Sequence, residues 1–267
     1  VGESEVKMIN YDDICALVVS YNRLEMLEEC LTSIRKHHPM IDICVIFQGY
    51  FLDEAIQITK KYNIKHVVFY NRGIGVVAAR KAGYSFLIAE KKYSYILDMD
   101  DDSKIGKNFL KVTYENIEKY NNVGIISGPY QFGVSLAKRA DKQIIRSNCP
   151  FACKLIRIEF LENFIDKILD REMQICDDLE LTFRMFLEGH ECVVVYGATF
   201  YHNIHKAKNK PGGISRKNYR QLERDSRLYL QKKYGKHLIT VCSNNAFRYI
   251  DNLIKLGYVQ KELQLTK

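Results

Sequence analysis

"YSYILDMDDDSKI", Tyr93 to Ile105, runs from an apolar segment straight into four carboxylates within five positions, Asp98, Asp100, Asp101 and Asp102. Like charges this close resist being ionised together, so a chain that sets them side by side usually supplies a cation. The apolar half reads as a strand, which puts the acids at its carboxyl end. In an open α/β sheet that is the edge where ligands bind. A calcium loop does not fit, because alternating oxygen ligands over twelve residues with a closing Glu are missing. Strand-end carboxylates instead suit Mg²⁺ or Mn²⁺ bound together with substrate phosphates.

Upstream, strands and helices alternate. "ICALVVS" (Ile14 to Ser20) is almost wholly apolar, as a strand buried on both faces requires. Leu24, Leu27, Leu31 and Ile34 then form one helical stripe, stopped by Pro39. "DICVIFQ" and "KHVVFY" read as strands, "EAIQITKKY" and Ala78 to Glu90 as helices. Four such alternations predict a parallel sheet with crossover helices. Downstream, "VGIISG", "FACKLIRI" and "CVVVYGATF" read as strands, and Asp177 to Gly189 and Asn218 to Tyr234 as helices, so mixed packing is expected there. "HKAKNKPGGIS" (His205 to Ser215) reads as a loop.

At 267 residues the chain suits one large domain, or one domain with a C-terminal extension. It has no run of 18 apolar residues and no signal-peptide pattern, and the expectation is a soluble cytoplasmic protein. Eight cysteines (15, 30, 44, 149, 153, 176, 192 and 242) form no Cys-x-x-Cys pair, so buried reduced thiols are expected, with Cys149 and Cys153 the pair to check. The net charge of +8 is concentrated between Asn203 and His237, where eleven Lys and Arg face only Glu223 and Asp225. That basic segment suits either a solvated helix face or a phosphate-bearing partner.

Four stretches in order, "VVSYNRLEMLEECLTSI", "NRGIGVVAARKAG", "YILDMDDDS" and "CDDLELTFRMFLEGHEC", resemble the nucleotide-sugar glycosyltransferases of the GT-A fold, of the broad family 2 kind. The resemblance implies an α/β fold: a Rossmann-like, mostly parallel mixed sheet flanked by helices. Residues 1–200 would form the donor-binding and catalytic core, and 201–267 a basic loop and C-terminal helical extension. It implies that Ser20, Tyr21 and Arg23 meet the nucleoside with Gln48, and that Arg80 lies near base or diphosphate. Asp100 and Asp102 would hold Mn²⁺ or Mg²⁺, with Asp101 on the donor, although Asp98 with Asp100 has the same Asp-x-Asp form. His202, or His205 beyond it, would complete the metal site. Lys210, Gly212 and Gly213 would cradle a phosphate, since glycine exposes backbone N–H groups to anions.

A departing nucleoside diphosphate gains negative charge that a divalent cation stabilises. The acceptor hydroxyl needs a general base, and the resemblance gives that role to Asp178 with Asp177 beside it, in an inverting transfer. Helix capping is the ordinary use of such aspartates. The chain has no Trp, so the Gln-x-x-Arg-Trp signature of processive synthases is absent. A UDP-sugar donor and a glycan acceptor are the main expectation. The basic segment 203–237 also fits DNA, as in enzymes that glycosylate hydroxymethylated pyrimidines. A nucleotidyltransferase or a non-catalytic nucleotide-binding module are the readings of another class; the first generally needs a Gly-rich phosphate loop with a basic residue directly after the first strand, and "SYNRLEML" offers none, just as the absent Gly-x4-Gly-Lys-Ser/Thr pattern excludes a phosphate-loop ATPase.

Overall fold

In a computed structural model, the described residues are 9–129, 144–146, 152–170, 172–203, 216–235 and, near the end, 254, 255, 257 and 264–266. Strands β1 (Ile14–Tyr21), β2 (Asp42–Gln48), β3 (His66–Tyr70) and β4 (Tyr95–Asp100) are joined by helices α1 (Leu24–His37), α2 (Leu52–Lys61) and α3 (Val76–Glu90). There follow β5 (Ser103–Ile105), α4 (Phe109–Lys119), β6 (Val123–Ser127), β7 (Ile144–Arg146), β8 (Cys153–Arg157) and α5 (Ile158–Glu162). The second half closes with α6 (Asp177–Leu187), β9 (Glu191–Val195), β10 (Phe200–His202) and α7 (Arg216–Tyr234).

The main sheet has eight strands in the order β3-β2-β1-β4-β8-β6-β9-β7. Strands β1 to β4 pair in parallel, β8 runs antiparallel between β4 and β6, and β7 runs antiparallel on the edge strand's neighbour β9. The mixed, mostly parallel sheet expected from the sequence is therefore present. Strand β1 shows why it is central: Ile14, Ala16 and Val18 enter one apolar cluster, while Cys15, Leu17 and Val19 enter the other. A period of two that is apolar on both faces demands helices on both sides. Residues of α1, α2 and α4 cover one face, and residues of α3, α6 and α7 the other.

The structure redraws three sequence expectations. "CVVVYGATF" is not one strand but two, β9 and β10, separated by a turn at Gly197, whose φ of +104° is a region L side chains rarely adopt. The turn carries β10 out of the main sheet to pair with β5, with His202 opposite Ser103. Gly106 makes that approach possible: its N–H donates to Thr199 O at 2.8 Å, and a Cβ there would lie 2.3 Å from Thr199 Oγ1. Helix α4 adds an element to those expected from the sequence, with Phe109, Leu110, Thr113, Tyr114 and Ile117 lining one buried face of it. Strand β4 ends at Asp100, so two of the four acids are strand residues and two lie beyond it.

Cys15, Cys30, Cys44, Cys153 and Cys192 are buried and free, and Cys176 is half-buried and free; Cys149 and Cys242 lie outside the described residues. Among the described residues no helix is long and apolar enough to cross a membrane.

His38, just past α1, is 3% exposed, and among the described residues neither ring nitrogen has a hydrogen-bond partner. Burial, with His37 adjacent, pushes its pKa down to about 4. The unfolded chain then binds a proton below pH ~6.5 that the folded chain refuses, so this residue's contribution to stability is lost as pH falls from 6.5 towards 4. Urea unfolding of the wild type should lose on the order of 2 kcal/mol more over that interval than a His38→Leu variant. Parallel pH profiles for the two proteins would disprove the assignment.

Candidate active site

The acids of β4 sort by strand geometry. Asp98 and Asp100 point to the α3/α6 face because side chains alternate. Asp101 and Asp102, past the strand end, meet β1 and the start of α1 instead.

On the first side, Arg80 of α3 is 2% exposed and donates from Nε to Asp98 at 3.2 Å, from Nη1 to Asp177 at 2.8 Å, and from Nη2 to Asp100. Asp98 is fully buried and also takes Tyr84 Oη and Lys154 Nζ, each at 2.7 Å. Burial alone would lower the Arg80 pKa, but Asp98, Asp100 and Asp177 together hold it well above its ordinary value. Lys154 is lowered by burial despite Asp98. Asp98 is thus enclosed by these partners, whereas the Asp100 side chain keeps 26% exposure.

On the second side, Ser20 Oγ donates to Asp101 at 2.6 Å, and Arg23 grips both oxygens of the same carboxylate. Tyr50 completes the arrangement: its hydroxyl lies 2.6 Å from Ser20 Oγ and accepts the Arg23 backbone N–H at 2.8 Å. With the Ser20 proton committed to Asp101, the Tyr50 hydroxyl is the donor in that pair. Burial nevertheless pushes the Asp101 pKa up to about 7, against the pull of Arg23. Asp102 goes the other way: burial would raise it, but His202 and Arg23 bring it below the usual carboxylate range.

His202 Nε2 is 2.9 Å from Asp102 Oδ1 and 3.8 Å from Asp100 Oδ2. Burial opposes its protonation, and the two carboxylates outweigh burial and raise its pKa. Ligand atoms of Asp100, Asp102 and His202 all lie within 4.8 Å of one another, a spacing that could hold a metal ion. Two carboxylate oxygens and one imidazole nitrogen are a donor set suited to Mn²⁺.

Gln48 is buried and accepts the Ile74 N–H at 2.9 Å, which ties the end of β2 to the loop before α3. The Tyr21 ring, 43% exposed, lies over Gly49 and Gly73. A Cβ at Gly49 would sit 2.7 Å from that ring, and φ there is +68°, so glycine is needed twice over.

Asp177 and Asp178 open α6, with Cys176 as the N-cap residue, so neither aspartate takes the N-cap position itself. Asp177 is pinned by Arg80, whereas Asp178 accepts only the neighbouring Leu179 N–H, at 2.8 Å, among the bonds described for it. The Asp178 residue keeps intermediate exposure, yet enclosure of its carboxyl, with Asp177 adjacent, raises its pKa to about 6. Lys210, Gly212, Gly213 and His205 lie outside the described residues, as do four of the eleven basic residues of the charged segment, Lys206, Lys208, Lys210 and Lys236. Within the described part, Lys233 and Arg227 are turned to intrachain carboxylates.

Tyr50, Tyr84 and Lys154 are the site residues that sequence reasoning missed. The one signal for them was polarity inside otherwise apolar surroundings, as for Lys154 in "FACKLIRI". A cavity of about 440 Å³ lies elsewhere, lined by Lys91, Tyr95, Arg157 and Glu162 among others. Tyr95 begins β4, so this cavity is at the opposite end of the strand from the acids.

The family model for glycosyl transferase family 2 matches residues 15–179. Among solved structures, residues 1–349 of TarS from S. aureus superpose with a TM-score of 0.58 at 14% identity, over 94% of this chain and 76% of that one. The mannosyltransferase PcManGT from Pyrobaculum calidifontis, in complex with GDP-Man and Mn²⁺, gives 0.59 at 12% identity, over 92% and 70%. GalNAc-T7 with UDP, GalNAc and Mn²⁺ gives 0.56 at 15%, over 71% and 42%. No match was found among curated proteins. A sheet of this order, acids at the carboxyl end of its fourth strand, and a family match over more than half of its length lead to one conclusion: the chain belongs to glycosyl transferase family 2 and is a glycosyltransferase.

Proposed function

We propose that the protein is a metal-dependent, inverting glycosyltransferase that moves a sugar from a UDP-sugar to a hydroxyl of a glycan. The observation that carries the reading is the convergence of Asp100, Asp102 and His202 at the end of β4, with Arg80 linking that cluster to the start of α6. These three side chains would hold Mn²⁺, or Mg²⁺ in its place, and the ion would stabilise negative charge on the departing diphosphate.

The chain's own groups divide the remaining work. Tyr21, half-exposed at the end of β1, offers a face to the base, while Ser20, Arg23 and Gln48 hold the surrounding backbone and Asp101 in place. Lys210, Gly212 and Gly213 would add charge and N–H groups to the phosphates. Asp178 takes the proton of the acceptor hydroxyl as its oxygen bonds to the anomeric carbon, and the diphosphate leaves with the electron pair of the bond that breaks. A single displacement of this kind inverts the anomeric centre. Asp177, held by Arg80, fixes the start of α6. A glycan is favoured over DNA because Lys233 and Arg227 are committed within the chain, which leaves less free cation for phosphates.

Two measurements test this. With Mn²⁺ and UDP at a hundredfold excess over Kd, linkage stabilises the protein by about 2.7 kcal/mol, or roughly 5 °C in Tm. GDP should do less, and both Asp100→Asn and Asp102→Asn should abolish the UDP shift; no shift with any nucleotide and metal would refute the proposal. In turnover assays, Asp178→Asn should lose on the order of 10²–10⁴ in kcat while keeping donor binding. The base works ionised, so wild-type kcat/KM should fall as pH drops through about 6 and level off above it. An unchanged rate in Asp178→Asn would remove that residue from the mechanism.

A further inference from the structure

Helix α6 begins without a side-chain cap of its own. Its N-cap residue, Cys176, makes no capping bond and sits in the left-handed region, at φ +68°. Ser, Thr, Asp or Asn ordinarily fix a helix entry by accepting a backbone N–H, and a non-glycine residue holds a left-handed conformation only where its surroundings over-determine it. Two contacts do so here, one on each side of Cys176. After it, Asp177 accepts Arg80 Nη1 at 2.8 Å. Before it, the N–H groups of Gln174 and Ile175 both donate to one oxygen, Ser226 Oγ of α7, at 3.3 and 3.2 Å.

Ser226 is 1% exposed and lies one turn from Leu230, which is fully buried on the same stripe of α7. An apolar side chain would fill such a position at less cost, because a buried hydroxyl loses its hydration and needs hydrogen bonds in return. The serine oxygen has two lone pairs, enough for both N–H groups, and it supplies from a distant helix the acceptor that Cys176 lacks. The rest of α7 keeps that oxygen in place. Lys233 Nζ donates to Lys167 O and Asp170, both at 2.6 Å, and to Glu180 at 2.7 Å. Tyr234 Oη donates to Glu180 at 2.8 Å, and Tyr229 Oη to Asp170. These anchors lie on both sides of Gln174 and Ile175 in sequence, so α7 grips the whole approach to Asp178.

We propose that Ser226 is a positioning residue for the transfer: by holding the backbone at Gln174 and Ile175 it fixes the turn at Cys176, and with it the direction in which Asp178 meets the acceptor hydroxyl. The proposal rests on Asp178 being the base. It adds a residue of the C-terminal helix, outside the residues 15–179 that the family model matches, on which the rate depends.

Three substitutions separate the hydrogen bonds from the space the side chain fills. Ser226→Ala removes the acceptor, Ser226→Cys fills the space with a weak one, and Ser226→Thr keeps the oxygen. Hydrogen exchange reads the contact directly: amides 174 to 178 should exchange about tenfold faster or more in Ser226→Cys than in the wild type, with β1 and β4 unchanged. UDP release is then followed with Mn²⁺, using UDP-glucose, UDP-galactose and UDP-N-acetylglucosamine as donors and their methyl glycosides as acceptors. A misplaced reacting group costs on the order of 10² in rate, so Ser226→Ala and Ser226→Cys should lose about that in kcat while UDP affinity stays within about twofold. Ser226→Thr should recover most of the loss. In the Asp178→Asn background, Ser226→Ala should cost nothing more, because residues that act as a unit are not additive. Unchanged exchange, a kcat within about threefold of the wild type, UDP affinity lost together with kcat, Thr as slow as Cys, or a second full loss on top of Asp178→Asn would each overturn the role. The two claims fail differently. Asp178→Asn at the wild-type rate removes the base, and its positioning with it; a slow Asp178→Asn beside a fast Ser226→Ala removes the positioning alone.

Discussion

The architecture of the site depends on one buried cation. Arg80 lies between Asp98, Asp100 and Asp177, which come from the end of β4 and the start of α6, nearly eighty residues apart. Three carboxyl groups drawn together without it would lack a common donor. With it, and with Lys154 on Asp98, they stay in place as one network of three acidic and two basic side chains. A buried network of this kind adds little to net stability, because desolvating each ion offsets much of the attraction. Its value is geometric, since removing one member leaves charge stranded in the interior. The start of α6 is thereby held in register with the strand that carries the acids.

That dependence explains why part of the site was legible and part was not. Strand β1 and helix α1 follow from short-range signals, an unbroken apolar run and a stripe at helical spacing, and the structure keeps both within a few residues. The four acids at a strand end announced the ligand-binding edge for the same local reason. Lys154 could not be assigned in this way. It faces Asp98 only because β8 enters the sheet antiparallel to β4 in a register that sets these two residues opposite each other. Tyr50 and Tyr84 likewise acquire meaning from elements far away in sequence, Ser20 and Asp98. The splitting of β9 from β10 turned on a single glycine at positive φ inside an apparently continuous strand, a signal that hydrophobic pattern alone overrides.

Neighbouring carboxylates show how environment, more than residue type, divides labour. Asp101 and Asp102 are adjacent, yet one is raised to about 7 and the other lowered, because the first is sealed under Ser20 and Tyr50 while the second meets His202 as well as Arg23. A lowered pKa suits a metal ligand, which must be ionised to bind; a raised one suits a group that holds structure by hydrogen bonds.

The same division recurs at Asp177 and Asp178. The Arg80 guanidinium donates directly to Asp177 at 2.8 Å and holds that side chain in place, which leaves it less free to meet an acceptor hydroxyl. Asp178 has no such partner within the bonds described for it and is raised to about 6, close to where a base is both ionised at neutral pH and basic enough to take a proton. Two aspartates side by side at a helix start could serve equally as ornaments of the helix dipole. What separates them is the position of one arginine, so the proposed choice of base follows from the same contact that holds the site together.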